Sequence, residues 1–256
     1  MYFHRPARAA AAASGEAVEI ALAEKARAAV RMVDCVGYTV PGALGYEEAN
    51  FPRMVRTPWF EEEVSFQKAA EIGTQKVIQE HSTIGLVVTT DGSITEIKRE
   101  DYVDAERRVI GELKELGKPF IVVLNSTHPE SDDTRGLGET LSVAYDVPVI
   151  PVDCLRMSSD DIMGVLGGVL SEFPVREISV RLPDWVAELD EAHPVRAGFI
   201  AGVRQAVDSV DKVRDVQGAV QALGLTKNAQ SAIVTLLDLG TGRVLIELTA
   251  PRALFY

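Results

Sequence analysis

Three short apolar runs alternate with amphipathic stretches through the middle of the chain. The runs are Ile84–Val88, Pro119–Leu124 and Val147–Val152, and turn residues or charged residues separate them from their neighbours. A short, continuous apolar run bounded by turn residues is typical of a strand buried on both faces of a parallel sheet. Helical spacing of apolar residues marks four further stretches: Ser65–Glu80, Asp101–Leu116, Leu137–Tyr145 and Asp160–Glu172. The alternation predicts an α/β fold with a mostly parallel, doubly wound sheet and flanking helices.

The residues ahead of these runs predict a β-hairpin. Val18–Leu22 alternates between apolar and polar or small residues, and Ala29–Val33 forms a second apolar stretch that ends at Asp34. This pattern predicts two paired strands, the second of which carries an aspartate at its carboxyl end. The segment 38–63 that follows is rich in proline, glycine and aromatic residues. A loop of this length inside a domain is usually functional.

The pattern changes after Pro174, so we place a domain boundary near Phe173. The later elements predicted from periodicity are a strand at Val175–Val180, a short helix at Trp185–Leu189, one long helix at Val195–Leu223, and a hairpin of Ala232–Leu239 with Arg243–Thr249. The predicted organisation is an unstructured lead-in over residues 1–15, an α/β domain over 16–173 and a smaller α+β domain over 174–256.

Composition narrows the class of protein. The 26 basic and 38 acidic side chains give a net charge of −12, which argues against a nucleic-acid surface. Only Cys35 and Cys154 are present, a number that excludes a disulfide scaffold and fits a reducing compartment. Neither a spanning run of about 20 apolar residues nor a secretory signal is visible. We therefore expect a cytoplasmic protein without a transmembrane segment.

Candidate chemistry lies where the predicted strands end. Polar or glycine residues follow three strands, at 34–37, 89–92 and 125–127. In open α/β sheets, ligands bind beyond the carboxyl ends of the strands. Asp34 has the side chain to hold Mg²⁺ through a water, and Gly37 can present its backbone N–H to a γ-phosphate. The alternative is an ordinary turn, since aspartate and glycine are common turn residues.

Two motifs that would sharpen this hypothesis do not occur in the printed sequence. There is no Gly-x-x-x-x-Gly-Lys-Ser/Thr, the loop that cradles phosphates in P-loop proteins. There is no Asn-Lys-x-Asp either, because Asn125, Ser126, Thr127 and His128 stand at that strand end. Selectivity for GTP therefore has no visible basis.

Several longer stretches resemble the stage IV sporulation protein A family, the spore-coat morphogenetic ATPases of endospore-forming bacteria. The stretches that carry the resemblance are Val33–Gly42, Thr57–Glu62, Ala69–Thr74, Lys76–Gly85 and Thr89–Gly92. The similarity continues more loosely to the end and covers about residues 16–256. Stretches of this length are far more specific than Asp-x-x-Gly alone.

The resemblance implies a nucleotide-binding ATPase-like domain of P-loop GTPase type over 16–173, followed by the family's middle domain over 174–256. It implies that ATP and Mg²⁺ are bound, and that hydrolysis drives polymerisation into the basement layer of the spore coat. By resemblance, Asp34 is the Mg²⁺-associated catalytic residue, Gly37 senses the γ-phosphate, and Asn125 and Ser126 lie in the base-recognition segment. The implied partners are further copies of the chain, spore-coat proteins and a small amphipathic membrane-anchoring peptide, at the forespore surface in the mother-cell cytoplasm.

The printed chain departs from the family pattern at both ends. The family's P-loop and sensor threonine would precede the hairpin, and a C-terminal domain would follow the middle domain. The resemblance therefore predicts an internal fragment in which one strand of the sheet lacks its neighbour. Three hypotheses stay open: an ATP-hydrolysing morphogenetic protein, a non-catalytic self-assembly or scaffold module, and a small GTPase-like regulator. The last is disfavoured, because Asn125–His128 has no aspartate to pair with guanine.

Overall fold

The computed structural model describes residues 12–13, 15–23, 26–48, 51–226 and 228–254. These residues divide into two compact units, one extending to Val169 and the other beginning at Leu170. The division falls a few residues before Phe173, where the change of sequence pattern placed the domain boundary.

In the described residues, the first unit combines short strands with four α-helices. Its strands are β1 (Ala12–Ala13), β2 (Val18–Ala23), β3 (Ala26–Val30), β4 (Val33–Asp34), β5 (Glu47–Glu48), β6 (Phe51–Pro52), β7 (Met54–Val55), β8 (Val64–Ser65), β9 (Gly85–Thr90), β10 (Phe120–Asn125) and β11 (Val149–Val152). Its helices are α1 (Phe66–Lys76), which continues as a π-helical turn (Val77–His81), α2 (Arg99–Glu115), α3 (Asp132–Tyr145) and α4 (Ser159–Ser171).

A parallel sheet in the order β11-β10-β9 forms the centre of this unit. Helix α2 packs on one face, where Leu113 lies against Gly85 and Phe120. Helix α4 packs on the other face, where Gly168 approaches the side chains of Ile121 and Ile150. The predicted α/β class with a parallel sheet and flanking helices is therefore confirmed.

The middle strand carries the core of the unit. Ile121, Val122 and Leu124 of β10 are each 0% exposed. Full burial of one such side chain stabilises the fold by about 1.5–3 kcal/mol. This explains why β10 reads as an uninterrupted apolar run, since helices cover both of its faces.

The N-terminal part of the unit differs from the predicted hairpin in one respect. β2 and β3 pair antiparallel, as expected, but β3 ends at Val30. Asp34 lies instead on β4, which pairs antiparallel with β1. The exposed side chains of Arg31 and Met32 interrupt the apolar pattern between the two strands. Ala12 and Ala13 thus form a strand within the expected lead-in, and residues 1–11 of that lead-in lie outside the described residues.

The described part of the second unit has three α-helices and a mixed sheet around a core of its own. In chain order its elements are β12 (Glu177–Arg181), α5 (Asp184–Ala187), α6 (Pro194–Val207), α7 (Val213–Gly224), β13 (Ser231–Asp238), β14 (Arg243–Thr249) and a 3₁₀ turn (Arg252–Leu254). The strand order is β12-β14-β13, with β12 parallel and β13 antiparallel to β14. Phe199, Leu223 and Ile246 are buried at its centre.

The prediction of one long helix over Val195–Leu223 is wrong. A turn at residues 208–212 separates α6 from α7. The Asp215 carboxylate accepts the backbone N–H groups of Asp211 and Lys212, at 3.2 and 2.8 Å, and so supplies partners at the start of α7. Apolar spacing continues through the turn, which is why periodicity alone does not reveal the break.

Candidate functional site

The three parallel strands of the first unit end together. Thr90 of β9, Asn125 of β10 and Val152 of β11 are in register. The loops that follow these residues therefore share one edge of the sheet, called here the carboxyl edge. Ligands of open α/β sheets bind at such an edge.

A hydrogen-bonded network centred on Asp91 ties two of these loops to α3. One oxygen of Asp91 accepts the backbone N–H and the hydroxyl of Ser93, at 2.9 and 2.6 Å. The other oxygen accepts the Thr134 hydroxyl at 3.1 Å. Burial acts to raise the pKa of Asp91, but hydrogen bonds from Ser126, Ser93 and Thr134 outweigh it and lower that pKa. The network holds a negative charge in a fixed position at the carboxyl edge.

Asn125 and Ser126 also make hydrogen bonds that hold the loops of the carboxyl edge in place. The Asn125 Oδ1 accepts the backbone N–H of Cys154 at 3.0 Å, which joins the ends of β10 and β11. Ser126 is 0% exposed, and its hydroxyl oxygen accepts the backbone N–H of His128 at 3.0 Å. It also lies 3.3 Å from the Thr134 hydroxyl. Both residues fix the course of the loops by these bonds.

A cavity of about 350 Å³ opens between the loops that follow β10 and β11. The residues that line it are Ile94, Asn125, Thr127, His128, Asp153, Leu155 and Arg156. Asp153 accepts the backbone N–H of Leu155 at 3.0 Å. The cavity thus combines apolar side chains with a few hydrogen-bonding groups, as small-molecule sites do.

Asp34 and Gly37 lie at a second cavity, of about 450 Å³, between residues 33–38 and β9. Asp34 is exposed. Gly37 has a φ of 82°, in the left-handed region where residues other than glycine are strained. Its backbone conformation therefore accounts for the glycine in Asp-x-x-Gly.

Tyr38 anchors the segment that carries these two residues. It is buried, and its hydroxyl donates a hydrogen bond to Glu112 of α2. The guanidinium of Arg108 lies 3.9 Å from the centre of the Tyr38 ring. Burial and the Glu112 hydrogen bond raise the pKa of Tyr38, so the phenol stays protonated and continues to donate. Packing against α2 thus positions the loop just after Gly37.

The structure brings some of the predicted site residues together and separates others. Asp34 and Gly37 line one cavity, whereas Asn125 lines the other. Sequence reasoning missed the pairing of Asp91 with Thr134. The available signal was Ser131, which caps α3 by accepting the Thr134 N–H and so indicates where that helix begins.

The residues available for a metal are few. Within the described ranges, no group of three or more histidine, cysteine, aspartate or glutamate side chains is placed to hold a metal ion. Mg²⁺ is commonly bound by one or two carboxylates together with waters and substrate phosphates. The exposed Asp34 fits that mode of binding. No helix in the part of the chain that the structure describes is both long and apolar enough to cross a membrane.

Comparison with protein families gives two adjacent matches. The model of the stage IV sporulation protein A ATPase domain matches residues 12–174, and that of the middle domain of the same family matches residues 175–256. No solved structure matches the chain.

Three curated relatives of this chain have the name of that family. Stage IV sporulation protein A of Bacillus anthracis is 48% identical over 240 residues, which is 94% of this chain and 49% of the relative. The protein of that name from Bacillus subtilis (strain 168) is 49% identical over 226 residues, covering 88% of this chain and 46% of the relative. The one from Clostridioides difficile (strain 630) is 45% identical over 241 residues, covering 94% and 49%. The chain spans about half the length of the curated relatives it matches, and it belongs to the stage IV sporulation protein A family.

Proposed function

We propose that this chain contributes the nucleotide-binding part of an ATP-hydrolysing morphogenetic protein of the spore coat. The observation that carries the proposal is the match of the family's ATPase-domain model to residues 12–174. Within that range, the Asn125 cavity lies at the carboxyl edge of the parallel sheet, where nucleotides bind in α/β folds. Asp34 and Gly37 line a second cavity, which extends along β9.

Each proposed site residue has a separate role. Asp34 would hold Mg²⁺ through a water, and the metal would neutralise phosphate charge when bound. Gly37 would present its backbone N–H to the γ-phosphate. Asn125 and Ser126 would shape the segment that receives the base, the former by its bond to Cys154 and the latter from its buried position.

The biological setting that we propose is assembly of the spore coat. Copies of the protein would polymerise into a basement layer on the forespore surface, in the cytoplasm of the mother cell. Coat proteins and a small amphipathic membrane-anchoring peptide would be its partners. The names of the relatives support a role in sporulation, and the finer assignments rest on the family resemblance.

Titration of the chain with Mg·ATP tests the nucleotide site. We expect saturable binding that is weakened about tenfold or more in Asp34→Asn, because the substitution removes the negative charge that would retain the metal. Asp104→Asn is the matched control, since Asp104 is an exposed aspartate on α2. Failure of wild-type chain to bind at millimolar ATP would contradict the proposal for this chain, as would equal affinities of Asp34→Asn and wild type.

Light scattering with and without ATP distinguishes an ATP-hydrolysing assembly protein from a non-catalytic scaffold. Growth of assemblies only with Mg·ATP would support hydrolysis-driven polymerisation. Equal growth without nucleotide would instead favour the non-catalytic self-assembly module.

A further inference from the structure

The loops that line the cavity beside Asn125 use their backbone N–H groups within the fold. This is the cavity of about 350 Å³ between the loops that follow β10 and β11. In the loop after β10, the Ser126 N–H donates to the Val152 carbonyl at 2.9 Å. The next two N–H groups donate to the hydroxyl oxygens of Ser93 and Ser126, each at 3.0 Å. All three N–H groups are therefore engaged.

The loop after β11 is arranged in the same way. The Cys154 N–H donates to the Asn125 Oδ1 at 3.0 Å. The Leu155 N–H donates to the Asp153 Oδ1 and the Arg156 N–H donates to the Asp153 carbonyl, each at 3.0 Å. A carbonyl oxygen on a ligand would therefore have to displace one of these bonds before a backbone N–H of either loop could donate to it.

Asp153 supplies a charged acceptor at the wall of the same cavity. One of its oxygens, Oδ1, accepts the Leu155 N–H. The other oxygen, Oδ2, lies 3.9 Å from the Arg156 guanidinium, beyond hydrogen-bond distance, and the Arg156 side chain is 82% exposed. The Asp153 side chain is 18% exposed. A ligand that covers this carboxylate must therefore donate a hydrogen bond in place of the water that it displaces.

The apolar part of the lining holds a ligand without distinguishing its polar groups. Ile94 and Leu155 line the cavity and are 39% and 91% exposed. Contact with a ligand would remove part of this surface from water, whichever polar groups the ligand carries at its edge. Discrimination between similar ligands therefore depends on the hydrogen-bonding groups of the cavity.

We propose that Asp153 selects adenine as the base bound in this cavity, by accepting a hydrogen bond from the 6-amino group on its Oδ2. Adenine carries a donor at this position, whereas guanine and hypoxanthine carry a carbonyl oxygen there. Opposite a carbonyl oxygen, the carboxylate is left unpaired, and a site built to bond an N–H rejects an analogue that lacks it. The inference rests on the proposed function, because it names the residue that determines the base of the same nucleotide.

The variant Asp153→Asn tests this role with a minimal change of shape. Asparagine keeps an oxygen that can accept the Leu155 N–H, and it places an NH₂ group where Oδ2 stood. That group donates to a 6-oxo purine and cannot accept from a 6-amino purine. The substitution should therefore shift the preference of the site from ATP towards inosine triphosphate (ITP), whose base is hypoxanthine.

Calorimetric titration of the full chain with Mg·ATP and with Mg·ITP measures the two affinities. We expect the wild type to bind ATP about tenfold or more tightly than ITP, and Asp153→Asn to lower this ratio about tenfold or more. Asp104→Asn is the matched control and should keep the wild-type ratio, since Asp104 is an exposed aspartate on α2. Asp34→Asn should weaken both nucleotides by the same factor, because both carry the same triphosphate. Circular dichroism of each variant verifies its fold.

Three results would overturn the inference. They are equal affinities of the wild type for ATP and ITP, an unchanged ratio in well-folded Asp153→Asn, and a preference of the wild type for ITP. The last would assign the base to the exposed donor Arg156. The comparison of ATP with ITP in the wild type needs no variant, so it decides the question even where Asp153→Asn fails to fold.

The failure of this inference differs from the failure of the proposed function. Binding of ATP that depends on Asp34, together with a ratio that Asp153→Asn leaves unchanged, would refute the role of Asp153 and leave the nucleotide site in place. Absence of saturable binding of both nucleotides at millimolar concentration would contradict both.

Discussion

The network around Asp91 gives a quantitative prediction for the variant Asp91→Asn. In the wild type, the Asp91 carboxylate accepts two hydrogen bonds from Ser93 and one from Thr134, and Ser126 also donates to it. The Thr134 hydroxyl also accepts a bond from Ser131 at 2.9 Å, so its own hydrogen points to Asp91. An asparagine keeps one acceptor oxygen but presents an N–H₂ group where the second oxygen stood. At least one charge-assisted bond is lost.

The expected destabilisation is about 1–2 kcal/mol at neutral pH. A hydrogen bond to a charged group contributes about 1.5–3 kcal/mol, and the partial exposure of Asp91 reduces that figure. The sign of the pH dependence follows from the lowered pKa of Asp91. A carboxyl group with a lowered pKa in the folded state stabilises the fold above its ordinary value of 3.8 and loses this contribution as pH falls through the lowered value.

Urea unfolding at pH 7 and near pH 3 measures the effect. Trp59 fluorescence in a Trp185→Phe background reports on the first unit, because Trp185 belongs to the second. The difference between wild type and Asp91→Asn should shrink at the lower pH, whereas Asp104→Asn should change little at either. A difference below about 0.3 kcal/mol at pH 7, or one that grows on acidification, would refute the reasoning.

Two further substitutions test a buried apolar residue in the first unit and a buried carboxylate in the second. Ile121→Ala should destabilise the first unit by about 2–5 kcal/mol, because it leaves a cavity at a fully buried position. As a control, Val143→Ala on the exposed face of α3 should change the free energy of unfolding by no more than about 0.5 kcal/mol. Comparable effects of the two substitutions in urea unfolding would contradict the assigned burial. Glu172→Gln should destabilise the second unit by about 2 kcal/mol, because the buried carboxylate pairs with Lys212 at 2.7 Å and with Arg214 at 2.9 Å. An unchanged unfolding midpoint, followed through Trp185 fluorescence, would argue against these ion pairs.

Periodicity predicts the central sheet well, because β9, β10 and β11 meet the conditions that the pattern encodes. Each is a short apolar run closed by turn residues. β10 is buried on both faces as the pattern predicts, whereas Leu86 and Val88 of β9 are 43% and 59% exposed. The helices between them carry a clear apolar stripe, and α3 begins at Asp132 rather than at Leu137 because Ser131 caps it. Secondary-structure elements can be predicted from sequence alone where their apolar pattern matches their burial in the fold.

The long helix predicted over Val195–Leu223 shows where this approach fails. Apolar spacing continues across residues 208–212, so the pattern contains no break. The break comes from contacts between residues far apart in sequence: Glu172 binds Lys212, and the Val175 N–H donates to the Asp211 carbonyl at 2.9 Å. Tertiary contacts of this kind outweigh helix propensity, and the local signal of the break is Asp215, whose carboxylate caps the start of α7.

In the candidate site, too, the local sequence pattern predicts some features, and others depend on tertiary contacts. Strand ends can be located from sequence, so Asp34, Asp91 and Asn125 were all placed at ends of predicted strands. Which of their atoms face a ligand depends on the register between strands. Asn125 commits its Oδ1 to Cys154 across 29 positions, and Asp91 commits an oxygen to Thr134 across 43 positions. Asp34 is exposed beside a cavity, so its carboxylate is the one among these three that stands open to an approaching cation. Substitution of Asp34 should therefore affect ligand binding, whereas substitution of Asp91 should affect the stability of the carboxyl edge.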